Sequence, residues 1–511
     1  MASCFTVAIN KNTKEVICNS NVCSKTIDNV EIHLIGIIYN CEGKNSTLDD
    51  VYDLYVKYDT NMYDHLDGAC AVIVIDYKRQ RIFVFTDYFN SIIPLFYAES
   101  DDEIILTTDL FLLTGKMERL SISLAAAEQF MLHGMVFGKQ TLISEVSKLP
   151  AKHFLEVDIE RCRIHCRRCR YTFKTETDVT IAEYGTVFRK CMEECYEKDA
   201  GMTLSGGFDT NYILHYLLQI KQERGDSESI RTYCGGGSTG KDESPLAKEI
   251  SDYYGNIDLQ TFKVNQDSIQ YYPEIVLALQ GSCFEDGIFM HYQLAKIFHE
   301  DGIKYVYTGD MADQVLNLET YQYTMSTYKR IAKLYYLGIK NAILHKTYDY
   351  YRWMFRGRYE IGALKNLKKG GLLWDYFGTK GIYPYVRKSF LNVAKSTSAS
   401  GDYDKRFHRK AVLETLNPVI AQKIKRNGGN TDPIALFDEQ TKKALKSEIA
   451  KMPWFKARNF VDENQQLGYE LRILFIDLVR RIFVNHELKK SNIGEYPLLG
   501  DMYPALKTKI D

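Results

Sequence analysis

Short apolar runs separated by polar turns dominate the first third of the chain. Three such runs are HLIGIIYN, ACAVIVIDY and RIFVFTDY, and two of the turns between runs are KRQ and ESDDE. Runs of this length, rich in β-branched and aromatic residues, are typical of β-strands. One helical stretch, SLAAAEQFMLHGM, interrupts them. The pattern predicts a strand-rich domain over residues 1–172.

From about residue 180 the pattern changes to an alternation of helix and strand. The helical segments include TIAEYGTVFRKCMEECYEK and NYILHYLLQIKQE, and the strand-like segments include GMTLSGG, SIRTYCGGG and IKYVYTG. Strands separated by helices of this length favour a parallel sheet with crossover helices. Beyond residue 320 the pattern is mostly helical. We therefore predict an α/β second domain over residues 180–511, with a helical C-terminal part.

Composition and charge limit the classes of partner. The chain has 511 residues, 45% of them hydrophobic, and a formal net charge of -1. Nucleic-acid and membrane binding normally need a basic face, so this balance favours neither partner. The N-terminus has no basic region followed by an apolar run, and no stretch of about 18 apolar residues occurs. We expect a cytoplasmic protein.

Twelve cysteines are scattered along the chain, which is typical of reduced thiols. One cluster, RCRIHCRRCRY, brings together Cys162, His165, Cys166 and Cys169. A second cysteine pair at zinc-finger spacing is missing, and the residues alternate with arginines. We interpret the cluster as a half-exposed strand rather than a zinc site.

The stretch TLSGGFDTN lies where a strand of the parallel sheet gives way to a helix. The pattern predicts the end of a strand over residues 202–204, a turn over residues 205–209, and a helix from near Thr210. In open α/β sheets, ligands collect at the carboxyl ends of strands, and free amides at a helix N-terminus attract anions. The alternative is a plain glycine-containing turn with an aspartate cap.

The residue types of this turn suit a phosphate. Gly206 and Gly207 allow close approach of the backbone, while Ser205 and Thr210 offer hydroxyl donors. Asp209 would repel a phosphate unless it holds a cation, and magnesium is bound in proteins through one or two carboxylates plus phosphate oxygens. The turn therefore predicts a site for a magnesium-bound phosphate.

A second glycine-rich stretch, GGGSTGKD, follows the next predicted strand. Gly235, Gly240 and Lys241 have the spacing of a P-loop. The next residue is Asp242, where that motif needs a hydroxyl group to bind magnesium. We interpret this stretch as a coincidental glycine-rich loop.

Several segments resemble the asparagine synthetase family. SGGFDT is similar to the pyrophosphate loop of ATP pyrophosphatases, and YTGDMADQVL is similar to the second ATP loop of asparagine synthetases. LIGIIYN, LDGACAVIVID, TDYFNSIIPLFYA and GMVFGKQTLISEVSKLPAKHFLEV resemble segments of the glutaminase domain, and KIKRNGG resembles the late lysine loop. The resemblance implies an N-terminal nucleophile type αββα glutaminase-like domain and an adenine-nucleotide α-hydrolase-like synthetase domain.

The resemblance also implies ATP and Mg²⁺ as cofactors and assigns residues to them. Asp209 and Asp313 match the carboxylates that hold magnesium against the triphosphate. Thr308 and Gly309 would lie against the nucleotide, and the strand containing Tyr233 would border adenine. The departing pyrophosphate would be held by Ser205, Gly206, Gly207 and Thr210.

Three further residues take chemical roles from the resemblance. Lys425 matches the family lysine that steadies the adenylate and the oxyanion formed on amine attack. Asp310 stands where the family places the presumed base for the incoming amine, and it could instead hold a substrate cation or cap a helix. Asp286, in CFEDG, would lie near the substrate.

The glutaminase-like domain departs from the family pattern. Glutamine-dependent members use a cysteine exposed as the first residue, but here residue 2 is Ala and the nearest thiol is Cys4. The oxyanion-hole asparagine of the family is replaced by Ile35. We therefore expect this domain to be inactive as a glutaminase.

Members without the nucleophile resemble lasso-peptide cyclases and β-lactam synthetases, which close a ring with an amine of the substrate. We predict an AMP-forming ligase that acts as a macrolactam cyclase on a precursor peptide, with a leader protease as a possible partner. Three alternatives stay open: an amidating enzyme that uses ammonia or partner-supplied nitrogen, a small-molecule cyclase, and a catalytically inactive binding protein.

Overall fold

The computed structural model describes most of the chain, and every structural statement below concerns the described residues. These are residues 4–39, 47–88, 92–171, 178–236, 242–264, 266–285, 287–316, 358–399, 405–424, 437–454, 463–489 and 492–507.

The first part of the chain forms two antiparallel sheets. One has the order β2-β1-β8-β7-β9, and the other has the order β11-β10-β6-β5-β4-β3. Their strands are β1 Phe5–Asn10, β2 Val16–Ser20, β3 Cys23–Ile27, β4 Val30–Ile38, β5 Gly68–Asp76, β6 Arg81–Thr86, β7 Phe96–Glu99, β8 Glu103–Thr107, β9 Ser147–Lys148, β10 His153–Asp158 and β11 Arg163–Arg168.

Helices flank these sheets. They are α1 Leu48–Tyr58, α2 Leu110–Thr114 and α3 Leu124–His133. The central strand β5 is buried at every position from Cys70 to Asp76, which is typical of a strand covered on both faces. The strand-rich character predicted for this part is confirmed.

β11 is an edge strand, and most of its side chains are exposed, including His165 and Cys166. Cys162 and Cys169 lie just outside its two ends. In the part of the chain that the structure describes, these residues do not form a metal-ligating group. The prediction that this segment forms a strand is confirmed.

A parallel sheet with the order β14-β13-β12-β15-β16 forms the centre of the second part. Its strands all pair in parallel and are β12 Gly201–Thr203, β13 Ile230–Gly236, β14 Ile257–Lys263, β15 Tyr305–Tyr307 and β16 Lys380–Ile382. The chain order reverses between β12 and β15, so the loops that follow these two strands diverge at a topological switch point. Ligands of open α/β sheets bind in the crevice at such a point.

Helices connect these strands and then form the C-terminal part, so the predicted mixed α/β fold is confirmed. They are α4 Ile181–Glu194, α5 Phe208–Glu223, α6 Ser244–Tyr254, α7 Tyr272–Ala278, α8 Ile288–Glu300, α9 Ala312–Leu316, α10 Arg358–Tyr376, α11 Lys388–Ala399, α12 Arg406–Thr415, α13 Pro418–Lys423, α14 Glu439–Ile449, α15 Glu463–Val479 and α16 Leu499–Met502. Among the described helices, we find none whose length and apolar character would let it cross a membrane. The division of the chain at residues 172–180 stays a prediction.

The start of α5 differs from the sequence prediction. The helix begins at Phe208, with Gly207 as its N-cap, rather than near Thr210. Asp209 therefore lies in the first helical turn and not in the preceding turn. A carboxylate is favoured there because it faces the positive end of the helix dipole.

Candidate functional site

The loop between β12 and α5 is ordered by its own hydroxyl groups. The hydroxyl oxygens of Ser205 and Thr210 lie 3.0 Å apart, and Thr210 donates a hydrogen bond to the Ser205 carbonyl at 2.9 Å. The Gly207 amide donates to the Ser205 hydroxyl at 3.3 Å. These contacts hold the turn tight at the helix N-terminus, where unpaired amides attract anions.

Gly206 is required by a close approach of the neighbouring helix α6. A Cβ atom at this position would lie 2.2 Å from Cδ2 of Leu246. Glycine avoids the clash and lets the loop backbone lie against α6.

The loop that follows β15 lies directly against the first loop. A Cβ atom on Gly309 would lie 3.1 Å from Cγ2 of Thr210 and 3.3 Å from Cβ of Asp209. Thr308 is buried, and its hydroxyl accepts a hydrogen bond from the Asp310 amide at 3.1 Å. The next residue, Met311, has a φ of +76° although it is not glycine. Strained backbone of this kind concentrates at functional sites.

Asp209, in the first turn of α5, and Asp313, in the first turn of α9, converge on one cation, the ammonium group of Lys405. Its Nζ lies 2.9 and 2.8 Å from the two carboxylate oxygens of Asp209. The same Nζ lies 2.6 Å from Oδ1 of Asp313. The Lys405 side chain is only 6% exposed, whereas Asp313 is 72% exposed. The sequence separates Lys405 from Asp209 by 196 residues.

Lys405 is held in place by its backbone and by the residues that follow it. It caps α12 in the left-handed conformation, with a φ of +57°. One turn later, Nε2 of His408 lies 3.0 Å from Oδ1 of Asp209, and its Nδ1 lies 2.8 Å from the hydroxyl of Tyr184. The Tyr385 hydroxyl donates a hydrogen bond to the Asp209 carbonyl at 2.9 Å.

Electrostatics keep Asp209 charged in this setting. Burial alone would raise the pKa of its carboxyl group, but the Lys405 ammonium and His408 outweigh burial, so the pKa is lowered. Burial lowers the pKa of Lys405, whereas the carboxylates of Asp209 and Asp313 raise it. The net shift of the Lys405 pKa is upward. Burial lowers the pKa of His408. The cluster therefore contains an ionised Asp209 carboxylate beside a protonated lysine.

The two carboxylates fit a magnesium ion. They supply hard oxygen donors from the first turns of two helices to one point, and the ammonium group at that point shows that a cation is favoured there. Magnesium is bound in proteins through one or two carboxylates together with substrate phosphates and water. Asp209 and Asp313 are the residues that would hold it.

A second buried polar cluster surrounds Asp310. Nζ of Lys369, on α10, lies 2.5 Å from Oε2 of Glu285. The backbone of Gly370 lies against Asp310, because a Cβ atom there would be 3.3 Å from its Oδ2. Within the described residues, Oδ2 of Asp310 is buried without a hydrogen-bond partner, as is the indole nitrogen of Trp374.

Burial and the Lys369 ammonium group shift the pKa values of the two acids in this cluster in opposite directions. Burial raises the pKa of Asp310, although Lys369 opposes the shift. Burial would also raise the pKa of Glu285, but Lys369 outweighs it and the net shift is downward. The unpaired oxygen of Asp310 is therefore the carboxylate oxygen in this cluster that most readily takes up a proton.

Of the three remaining residues predicted from the sequence, the structure describes one, Tyr233. Tyr233 is buried on β13, with its ring packed on Phe298 and its hydroxyl donating to Asp301 at 2.9 Å. Its carbonyl accepts the Leu204 amide at 2.9 Å. The assignment of this strand to adenine stays a prediction. Lys425 and Asp286 lie outside the described residues.

Asp242, from the competing glycine-rich stretch, lies two residues before α6 and bonds its first residue. Its Oδ1 accepts hydrogen bonds from the amide and the hydroxyl of Ser244, at 2.9 and 2.5 Å. Short side-chain acceptors commonly satisfy the free amides at a helix start. Lys241 lies outside the described residues.

The sequence interpretation missed three ionisable residues of the site. They are Lys405, His408 and Lys369. Lys405 and His408 lie in KRFHRK, which reads as an ordinary basic helix start, and Lys369 follows another lysine in KNLKKGG. The one signal was the expected cation beside Asp209, and the sequence interpretation assigned that cation to magnesium rather than to a lysine.

In the glutaminase-like part, Ile35 lies on β4 with a buried side chain and pairs with Ala71 of β5. An isoleucine side chain offers no hydrogen-bond donor to an oxyanion. Cys4 precedes β1, and its amide donates to Oδ1 of Asn21 at 2.7 Å.

Family comparisons match both parts of the chain. The asparagine synthase profile matches residues 185–369, and a glutamine amidotransferase domain profile matches residues 41–172. A search of curated proteins finds no match.

Three solved structures are distantly similar. The U34-tRNA thiolase NcsA from Methanococcus maripaludis is 13% identical, over 65% of this chain and 86% of that chain, with a TM-score of 0.25. An allosteric regulatory enzyme of purine biosynthesis is 10% identical, over 52% and 75%, with a TM-score of 0.21. A glutamine phosphoribosylpyrophosphate amidotransferase from B. subtilis is 10% identical, over 60% and 75%, with a TM-score of 0.19. Similarity at this level does not bear on function.

Asparagine synthase domains are ATP-using domains of amidating and ligating enzymes, and the two matched profiles follow the order that the sequence motifs predicted. Together with the two convergent loops, they identify the chemistry as ATP-dependent amidation or ligation. The chain therefore carries an asparagine synthase domain over residues 185–369, preceded by a glutamine amidotransferase domain over residues 41–172.

Proposed function

We propose that the protein adenylates a substrate carboxylate with ATP, releases pyrophosphate, and joins the activated carbonyl to an amine. The observation that carries this proposal is the convergence of Asp209 and Asp313 on a single cation at the switch point of the parallel sheet. A triphosphate at that point needs charge neutralisation beside free amides.

The first step joins a carboxylate oxygen of the substrate to the α-phosphorus of ATP and breaks the bond to the pyrophosphate. Ser205, Gly206, Gly207 and Thr210 would hold the departing pyrophosphate at the helix N-terminus. Magnesium, when bound by Asp209 and Asp313, supplies positive charge to the phosphates. Thr308 and Gly309 would lie against the nucleotide.

In the second step, the amine nitrogen attacks the acyl carbon and AMP departs with its phosphate oxygen. The nitrogen must lose a proton, and Oδ2 of Asp310 is a buried acceptor without a described partner. The raised pKa of Asp310 suits a base that works near neutral pH. Lys425 would stabilise the oxyanion, a contact whose loss usually costs ~2–4 kcal/mol of barrier.

We propose that the amine belongs to the substrate rather than to glutamine. Ile35, which stands where the resemblance places the oxyanion-hole asparagine, is apolar and buried. The substrate that we favour is a precursor peptide whose N-terminal amine attacks an adenylated Asp or Glu side chain. Proximity favours such a closure, because intramolecular amines reach effective molarities of ~10⁵ M.

The test incubates the purified protein with ATP, Mg²⁺ and carboxylate substrates and measures AMP and pyrophosphate. We expect AMP with no requirement for glutamine, and a linear peptide with an internal Asp or Glu should lose one water on conversion. Formation of ADP instead of AMP would contradict the adenylation chemistry.

Variants and other substrates separate the competing functions. Asp209→Asn should abolish AMP release, while the exposed Asp252→Asn variant should not change it. Turnover of free aspartate with ammonia would favour an amidating enzyme, and cyclisation of a small amino acid would favour a β-lactam synthetase-like enzyme. Full activity of Asp209→Asn would refute the assignment of the cation site.

A further inference from the structure

A cluster of metal-ligating side chains lies outside the ligase site, where the edge strand β2 of one antiparallel sheet contacts β4 of the other. Cys18 lies on β2, at the edge of the first sheet, and Glu31 and His33 lie on β4 of the second sheet. One ligand atom from each of these three residues lies within 4.8 Å of the other two. The strand β3 joins β2 to β4, so one short segment of chain provides the whole cluster.

The three ligand atoms converge on a small volume. Nε2 of His33 lies 3.3 Å from Sγ of Cys18 and 2.8 Å from Oε1 of Glu31. Ligand atoms around tetrahedral zinc, with bonds of ~2.0–2.3 Å, lie about 3.3–3.6 Å apart. Outward shifts of roughly 0.5 Å or less would therefore accommodate the ion.

The residues around the cluster already have the arrangement of an outer ligand shell. Nδ1 of His33 lies 3.0 Å from the hydroxyl of Ser20, which leaves Nε2 free to face the cluster. The Tyr77 hydroxyl donates to Oε2 of Glu31 at 2.6 Å, which orients Oε1 inward. Metal-binding histidines and carboxylates are usually fixed by such outer contacts.

Hydrogen bonding alone does not satisfy this geometry well. An imidazole nitrogen either donates one hydrogen or accepts one. If Nε2 donates to the Glu31 carboxylate, it cannot also accept the thiol hydrogen of Cys18. A metal ion resolves the conflict, because it accepts one lone pair from each of the three atoms.

We propose that Cys18, Glu31 and His33 bind a zinc-class divalent ion that clasps the two sheets together. The donor set of one thiolate, one imidazole and one carboxylate suits zinc. Glu31 is 23% exposed and Cys18 is half-buried, which gives the ion an entry path and leaves room for water as the fourth ligand. Binding breaks the S–H bond, and the thiol proton passes to solvent. The proposal does not depend on the ligase function.

Metal binding at this site should strengthen with pH. The Cys18 thiol must lose its proton to bind the metal, so each ion bound releases one proton.

The test uses the full chain, stripped with a chelator and titrated with Zn²⁺ and with Co²⁺. We expect one ion per chain, a thiolate-to-cobalt charge-transfer band, and a higher unfolding temperature with metal. Cys18→Ser should remove the band and weaken Zn²⁺ binding by ~100-fold or more, and Ser20→Ala should weaken it by ~10–100-fold.

Matched controls are the exposed cysteines Cys23 and Cys166, whose serine variants should bind Zn²⁺ as the unchanged protein does. Cys18 is half-buried, so Cys18→Ser should fold, and far-UV circular dichroism checks this in chelator. The proposal is overturned if no stoichiometric binding occurs, or if Cys18→Ser binds Zn²⁺ with unchanged affinity and retains the cobalt band.

Discussion

Lys405 should compete with magnesium for Asp209 and Asp313, because its ammonium group occupies the point between them. The perturbation is Lys405→Met, which keeps the length of the side chain and removes its charge. The lysine makes three contacts of 2.6–2.9 Å and is 6% exposed. In the free protein, an incoming ion would have to displace it.

The magnitude follows from the burial of the contact. Removing one partner of a buried ion pair costs ~3–5 kcal/mol, and the low end applies because Asp313 is 72% exposed and stays hydrated. Since ~1.4 kcal/mol corresponds to a tenfold change in affinity, a Lys405 contact that contributes ~3 kcal/mol weakens magnesium binding by about 100-fold. Part of this is recovered when the displaced lysine finds water, so we expect Lys405→Met to bind Mg²⁺ at least ~10-fold more tightly.

Isothermal titration of Mg²⁺ without ATP measures this affinity directly. Lys410→Met is the matched control, because Lys410 lies on the same helix with a side chain that is 67% exposed. Without magnesium, Lys405→Met should also unfold at a lower temperature, and added Mg²⁺ should reverse the loss. Unchanged or weaker Mg²⁺ binding by a folded Lys405→Met protein would refute the reasoning.

Three further outcomes are expected. Gly206→Ala should lower kcat/KM for ATP by ~10–100-fold, because the new methyl group overlaps Leu246 and overpacking costs ~1–3 kcal/mol. Adding Leu246→Ala should restore the activity. Failure of this second substitution to restore it would contradict the steric cause. Asp310→Asn should abolish amide formation but keep ATP–pyrophosphate exchange, and the unchanged enzyme should lose activity in acid at a pH above the usual aspartate range, because burial raises the pKa of this base. His291 is buried and its pKa is lowered to about 3, so the folded protein resists protonation that the unfolded chain accepts below about pH 6.5. Stability should therefore fall between pH 6.5 and 3, by about 5 kcal/mol at most from this residue. Urea unfolding should show a shallower loss in His291→Gln, and an equal loss would contradict the assignment.

Much of the fold and part of the site were predictable from local sequence. The alternation of strand and helix after residue 180 gave the parallel sheet, because each segment carries its own apolar pattern. The loop SGGFDT indicated a phosphate turn, because small and hydroxyl-bearing residues at a strand end have few other uses. The start of α5 was misplaced by two residues, since glycine at an N-cap resembles glycine in a turn.

The sequence by itself determined the order of the motifs, the two sheet types and the need for a cation beside Asp209. Only the tertiary structure decided which group meets that need. The strand order reverses between β12 and β15, which brings Asp313 to Asp209 across 104 positions of the chain. The left-handed backbone of Lys405 then directs a third, distant segment into the same point. The physical reason is that local patterns encode burial and turns, whereas the meeting of charges depends on how separate elements pack.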